Sequence, residues 1–154
     1  TVKFVDKDGK ISDVKVKEAY IKFLLSQGFD EAHVTARPAD ITARKNGETY
    51  YFEIKKTSKE KLYFGAATLT EWAEAVENSE HYKFVVAKER NETDFDFIEY
   101  TPEELLEYSY IPPFKVYFNI YFDSNKKQKK KLTPKHIIEM KEFYDKLINA
   151  NEED

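Results

Sequence analysis

The sequence lacks cysteine, so it can form neither a disulfide framework nor a thiolate zinc site. Its four glycines lie far apart, which excludes a glycine-rich phosphate-binding loop. It also contains no run of about 18 apolar residues, so we expect no membrane-spanning helix and no membrane partner. The absence of cysteine fits a reducing compartment, and we therefore expect a cytoplasmic protein.

The sequence also lacks an excess of positive charge. It has 25 basic and 29 acidic residues and a net charge of −4, whereas domains that bind nucleic acid are often basic overall. One concentrated basic run is present, formed by Lys126, Lys127, Lys129, Lys130 and Lys131. Such a run can neutralise phosphates without reading base sequence. The alternative is a solvated loop.

Aromatic residues are abundant, with 11 Tyr, 12 Phe and one Trp in 154 residues. This composition is typical of a packed globular protein, and the length predicts a single domain over residues 1–154. Periodicity and capping residues predict helices over residues 14–27, 71–78, 101–108 and 134–149. Strands are predicted over residues 31–36, 38–44, 49–56, 82–87, 94–100 and 114–122. The expected fold is α/β, with a central mixed sheet flanked by helices.

A hairpin is predicted around Asn46-Gly47, because both central residues of such a turn adopt positive φ. A two-residue turn fixes the register, so the numbers of opposed residues sum to 93. One face of the hairpin is then apolar. On the other face Asp40 lies opposite Glu53, and Lys55 lies beside Glu53 on the same strand.

Two opposed carboxylates repel each other, and we expect both to be ionised near neutral pH. On that expectation, Asp40→Asn stabilises the metal-free protein. A divalent cation between them or exposure to solvent would relieve the repulsion. Carboxylate oxygens suit Mg²⁺, and a neighbouring lysine can assist water or stabilise charge on a phosphate. The alternative is a solvated hairpin face without chemistry.

The segment from Pro38 and Asp40, through twelve intervening residues, to Glu53-Ile54-Lys55 resembles the motif of the PD-(D/E)XK nuclease superfamily. One departure is Ala39, which separates the proline from the aspartate. The resemblance covers about residues 14–87 and implies a restriction-endonuclease-like core of order α-β-β-β-α-β, with residues 94–150 as an elaboration. It implies Asp40 and Glu53 as catalytic metal ligands, Lys55 as a catalytic residue and Glu18 as a further ligand.

The function implied by the resemblance is hydrolysis of DNA phosphodiester bonds by an endonuclease of restriction or repair. Its cofactor would be Mg²⁺, for which Mn²⁺ can substitute. Lys56 and Thr57 follow the motif and are candidate phosphate contacts, with a surface role as the alternative. A homodimer and a place in a larger multidomain protein both stay open. The alternative function is a nuclease-fold module, weakly active or inactive, that binds nucleic acid or a protein partner.

Overall fold

The structure is a computed structural model and describes residues 12–91 and 93–152. The chain separates into two compact units, Thr1–Ser109 and Tyr110–Asp154. That residues 1–154 act as one domain stays a prediction. Within the described ranges, the helices lack the combination of length and apolar character that crossing a membrane requires.

The described residues of the first unit form a five-stranded mixed sheet with helices on its faces. Its elements, in chain order, are α1 (Ser12–Ser26), β1 (Glu31–Val34), β2 (Ile41–Lys45), β3 (Glu48–Thr57), α2 (Leu69–Glu77), a short 3₁₀ turn (Ser79–His81), β4 (Tyr82–Glu89), β5 (Phe95–Tyr100) and α3 (Pro102–Leu106). The strands lie in the order β1-β2-β3-β4-β5, and only β3 and β4 are parallel. The predicted mixed α/β fold is confirmed.

The hairpin between β2 and β3 has the predicted turn and register. Asn46 and Gly47 have φ values of 53° and 80°, and Ile41 pairs with Phe52 as the sum of 93 requires. The ladder ends at Ile41, so Asp40 lies one residue before β2 and not within a strand. There the Asp40 carbonyl accepts a hydrogen bond from the backbone N–H of Thr35 at 2.8 Å.

Two hydrophobic clusters hold the helices on opposite faces of the sheet. On one face, α1 packs its wider apolar stripe through Val16, Tyr20 and Leu24. Another side of α1 is less covered, because Leu25 is 47% exposed. On the other face, Ala75 of α2 packs with Ala39 and with the aromatic start of β4, and Trp72 lies 4.8 Å from Phe84 between ring centroids.

The predicted start of α2 is wrong by two residues, since the helix begins at Leu69 and not at Glu71. Its N-cap is Thr68, whose hydroxyl accepts the Glu71 backbone N–H at 3.2 Å, while the Glu71 carboxylate accepts the Thr68 N–H at 3.4 Å. This reciprocal capping box satisfies two backbone donors at the helix start. Thr70 is therefore inside the helix.

The second unit contains one helix in its described part, α4 (Pro134–Glu152). The predicted strand over residues 114–122 is wrong, because residues 110–121 adopt no regular secondary structure. Alternation of apolar residues sets the directions of side chains, but a strand also requires a neighbour that satisfies its backbone groups. Residues 110–152 supply no such neighbouring strand.

Candidate active site

A cavity of about 580 Å³ opens at one side of the sheet, between α1, the segment before β2, the second half of β3 and the start of α2. Each of these elements contributes a charged side chain to it. Among the charged residues that line it are Lys17, Asp40, Glu53, Lys55 and Glu71. The hairpin register and the capping box therefore fix two sides of one polar site.

Glu53 is the most enclosed of these groups, with only 7% of its surface exposed. Burial raises the pKa of its carboxyl, and hydrogen bonding and repulsion from Asp40 and then Glu71 raise it further, to about 9. Glu53 is therefore protonated near neutral pH. The expectation that Asp40 and Glu53 are both ionised is wrong, because burial and the third carboxylate were not visible in the hairpin pattern.

Asp40 is held by groups from two other elements. Its Oδ2 accepts the backbone N–H of Ile54 at 3.0 Å, so the carboxylate itself receives a main-chain donor of β3. Its Oδ1 lies 3.7 Å from Nζ of Lys17 on α1. The hydrogen bond fixes the side chain against β3, and Asp40 and Glu53 meet at the cavity although Asp40 precedes its strand.

Glu71 joins the site from the first turn of α2, and sequence reasoning did not select it. One of its oxygens, Oε1, caps the helix at Thr68, and the other, Oε2, lies 3.3 Å from Nζ of Lys55. Burial acts to raise the pKa of Glu71, but its hydrogen bond with Glu53, the charge of Lys55 and the contacts with Thr68 outweigh it, so this pKa is lowered. The signal for its position was the Thr68-x-x-Glu71 pattern.

Lys55 lies two residues beyond Glu53 on β3, and its side chain is half-buried in the same cavity. The ion pair with Glu71 draws its ammonium toward the start of α2. Behind the carboxylates, Tyr82 is buried and donates its hydroxyl hydrogen bond to the Pro38 carbonyl at 3.4 Å. Burial, followed by the charges of Glu53, Glu71 and Asp40, raises the pKa of Tyr82, which keeps its phenol neutral.

The structure does not bring Glu18 to this cavity. Glu18 is exposed on α1 and is not among the residues that line the cavity, whereas its neighbour Lys17 is. The core stripe of α1 is the one through Val16 and Tyr20, so a residue two positions after Val16 points elsewhere on the helix. Glu71 is a further acidic group at the cavity, as are Asp13 and Glu74.

The remaining predicted contacts lie in three different surroundings. Lys56 borders the cavity, but its Nζ pairs with Glu89 at 3.4 Å. Thr57 is buried, and its hydroxyl accepts the Lys59 backbone N–H at 3.1 Å. Lys126, Lys127, Lys129, Lys130 and Lys131 are exposed in the second unit. The phosphate-binding roles of these residues stay predictions.

The residues at the cavity fit a hard cation held by few protein ligands. Among residues 12–91 and 93–152, no three His, Asp or Glu side chains form a ready-made metal-binding group. Mg²⁺ does not require one, since one or two carboxylates with water and substrate phosphate hold it in many sites. A buried carboxyl that keeps its proton beside two further carboxylates is an arrangement whose excess negative charge a cation would neutralise.

Comparison with known families identifies the part of the chain that carries this cavity. The model of the family described as Protein NO VEIN, C-terminal, matches residues 14–98, more than half of the 154 residues. The chain belongs to this family. No curated protein and no solved structure matches the chain.

The segment that matches the NO VEIN C-terminal family begins in α1 and ends in β5. It includes Lys17, Asp40, Glu53, Lys55 and Glu71 of the cavity. The lysine run at 126–131 lies outside it. The family match and the cavity therefore coincide in the first unit.

Proposed function

We propose that the protein is a metal-dependent endonuclease of the PD-(D/E)XK type, which hydrolyses DNA phosphodiester bonds at the cavity of Asp40, Glu53 and Lys55. The observation that carries this proposal is Glu53, a carboxyl only 7% exposed whose pKa is raised by burial and by two neighbouring carboxylates. Such burial is unfavourable for folding. A strongly perturbed pKa in a cleft is typical of functional sites.

Asp40 and Glu53 would hold Mg²⁺ or Mn²⁺, with Glu71 beside them. The bound cation would polarise the phosphodiester and lower the pKa of a bound water. Glu53 has to lose its proton before it can act as a ligand, because its pKa is about 9. Metal affinity should therefore rise with pH over the neutral and mildly alkaline range.

Lys55 would interact with the substrate through its ammonium group. It shares a strand and a face with Glu53, so a phosphate near that carboxylate comes within reach of its Nζ. There it would donate a hydrogen bond to a phosphate oxygen and offset charge that develops in the transition state. Glu71 positions this ammonium through the 3.3 Å ion pair. Lys17 offers a second cation at the opposite wall.

Several features support nucleic acid as the substrate. Lys17 and Lys55 face the cavity, and each is paired with a carboxylate whose charge a metal would neutralise. Lys56, Thr57 and the lysine run at 126–131 would add contacts to phosphates. We propose DNA as the substrate, restriction or repair as the process and the cytoplasm as the location. The choice between a homodimer and a larger multidomain protein stays open.

The test is metal-dependent cleavage of supercoiled plasmid, linear duplex, single-stranded DNA and RNA, with Mg²⁺, Mn²⁺ or EDTA. Lys55→Ala and Glu53→Gln should abolish cleavage while circular dichroism and thermal melting show a folded protein. Lys83→Ala is the matched control, since Lys83 is a partly exposed lysine of β4 that does not line the cavity. Wild-type cleavage by both cavity variants would exclude this site.

A binding module with weak or no activity is the second candidate. The observation that favours it is the lack of a three-ligand metal group among the described residues, together with the ion pairs that already engage Lys17 and Lys55. On this alternative, the purified protein binds DNA equally well in EDTA and in Mg²⁺. No substrate in the panel is then cut, whichever metal is supplied.

A further inference from the structure

We propose that the segment Tyr110–Lys131 in the second unit binds single-stranded nucleic acid, by stacking bases on exposed aromatic side chains and neutralising phosphates with the lysines that follow. This inference does not require cleavage at the cavity. It rests on exposure, side-chain chemistry and charge within the second unit.

The aromatic half of the segment is unusually exposed for its composition. Phe122 is 99% exposed, Tyr117 85% and Phe118 81%. Phe114 packs on Tyr144 of α4, with ring centroids 4.7 Å apart, which anchors the start of the segment to the helix. Large aromatic side chains exposed close together in the sequence are typical of an interaction site.

The lysine-rich half of the segment begins four residues after Phe122 and supplies positive charge. Lys126, Lys127, Lys129, Lys130 and Lys131 are all exposed. The Lys126 ammonium lies 5.6 Å from the centroid of the Tyr121 ring, so the two halves meet in space as well as in sequence. Aromatic side chains beside a basic track are the two components of sites that bind single strands with little sequence preference.

Stacking on aromatic side chains favours a single strand over a duplex. Within a duplex, the bases are stacked on one another about 3.4 Å apart, which covers their faces. Bases that stack on successive side chains must therefore separate from one another. An unpaired strand can separate its bases in this way, and a paired duplex cannot.

The lysines also argue against a protein partner or a second copy of this chain. Lysine is depleted from the buried centres of protein–protein interfaces, because its charge is costly to desolvate there. Five lysines close to the aromatic residues would place repelling charges at any interface between two copies. A nucleic acid can contact both halves of the segment at once, with its bases on the aromatic residues and its phosphates on the lysines.

The experiment measures fluorescence anisotropy of labelled single-stranded DNA and RNA of about 20 nucleotides, and of the matching DNA duplex, with the full chain in EDTA. We expect single strands to bind more tightly than the duplex. Tyr117→Ala combined with Phe118→Ala should weaken single-strand binding by about 20-fold or more. Tyr117→Phe combined with Phe118→Tyr should restore it, because the rings remain.

Phe143→Ala is the matched control, since Phe143 is an aromatic residue of α4, 59% exposed, outside the segment. Replacing the five lysines with glutamine should weaken the binding of both single strand and duplex, and it should flatten the salt dependence of that binding. Equal losses for single strand and duplex in the aromatic double variant would overturn the proposal. The proposal would also be overturned if the aromatic double variant bound single strands as the wild type does but sedimented with a lower mass. That result would assign the aromatic residues to self-association.

Discussion

Two capping boxes of the same sequence type lie at the starts of α2 and α3, and only one is part of a candidate active site. Thr68 and Glu71 cap α2, and Thr101 and Glu104 cap α3. The bonds are nearly the same length, since the backbone N–H of the threonine reaches the glutamate at 3.4 Å in the first box and 3.3 Å in the second. The local structure is therefore equivalent.

The difference lies in what the second oxygen of each glutamate meets. Oε2 of Glu71 contacts Lys55, and the same carboxylate interacts with the buried Glu53. Glu104 is exposed on α3. A helix cap can therefore hold a carboxylate beside a lysine and a buried acid at no further structural cost, if the sheet places those two groups in front of it. Glu104 thus serves as an internal control for Glu71.

The largest effect should separate the two glutamates in a cleavage assay. Glu71→Gln keeps most of the capping geometry but removes the charge that positions Lys55, so we expect cleavage to fall by roughly 10- to 100-fold, as for other residues that orient a metal site. Glu104→Gln should cut like the wild type. Equal activity of the two variants would mean that Glu71 only caps its helix.

The second-largest effect concerns Glu53, which lies beside the Thr68–Glu71 capping box and has no counterpart beside the Thr101–Glu104 box. Its folded pKa of about 9 lies above the ordinary value of 4.5. The wild type therefore has its full stability below about pH 4.5 and loses part of it as the pH rises toward 9. Glu53→Gln imitates the protonated acid and should remove this loss, which makes it more stable in EDTA at pH 8 by about 1–2 kcal/mol.

Urea unfolding of the wild type and Glu53→Gln at several pH values measures this difference. The two proteins should have similar stabilities at low pH and diverge toward alkaline pH. Parallel profiles would show that Glu53 ionises as an exposed glutamate does, and the charge-based argument for the proposed metal site would be lost.

Much of the first unit could be predicted from the sequence, because local signals and long-range packing agree there. The Asn46-Gly47 turn fixed the hairpin register, and the apolar face that it implied packs against α1. In the second unit the same kind of alternation misled, since Phe114 to Phe122 carry the pattern of a strand without a neighbouring strand among residues 110–152. A side-chain pattern alone does not provide backbone partners.

Only the part of the site that lies on the hairpin could be predicted from the sequence. The approach of Asp40 to Glu53 followed from register, but Lys17 and Glu71 come from helices whose orientation is set by tertiary packing. Glu18 was chosen through the resemblance and lies exposed, one residue from the lysine that does reach the cavity. A rotation of one residue on a helix is about 100°, which sequence periodicity resolves poorly.

A smaller effect is expected for Asp40→Asn in EDTA. Because Glu53 is protonated near neutral pH, Asp40 accepts a hydrogen bond there and does not face a second negative charge. Asparagine would weaken this bond and the 3.7 Å contact with Lys17. We therefore expect a loss of about 1 kcal/mol, measured by thermal melting, in contrast to the gain that opposed ionised carboxylates predict. A higher melting temperature would restore the repulsion interpretation.

The smallest effect should again distinguish Glu71 from Glu104, now in stability without metal. The lowered pKa of Glu71 contributes stability that is present above its unfolded value of 4.5 and is lost as the pH falls below it. Glu71→Gln should therefore cost about 0.5 kcal/mol at pH 7 and flatten the acid limb of the stability profile. Glu104→Gln should keep that limb, because Lys55 and Glu53 remain opposite Glu71. Each variant is unfolded in urea between pH 3 and 7, and an acid limb that is equally steep in both variants would contradict the assignment of this stability to the cavity.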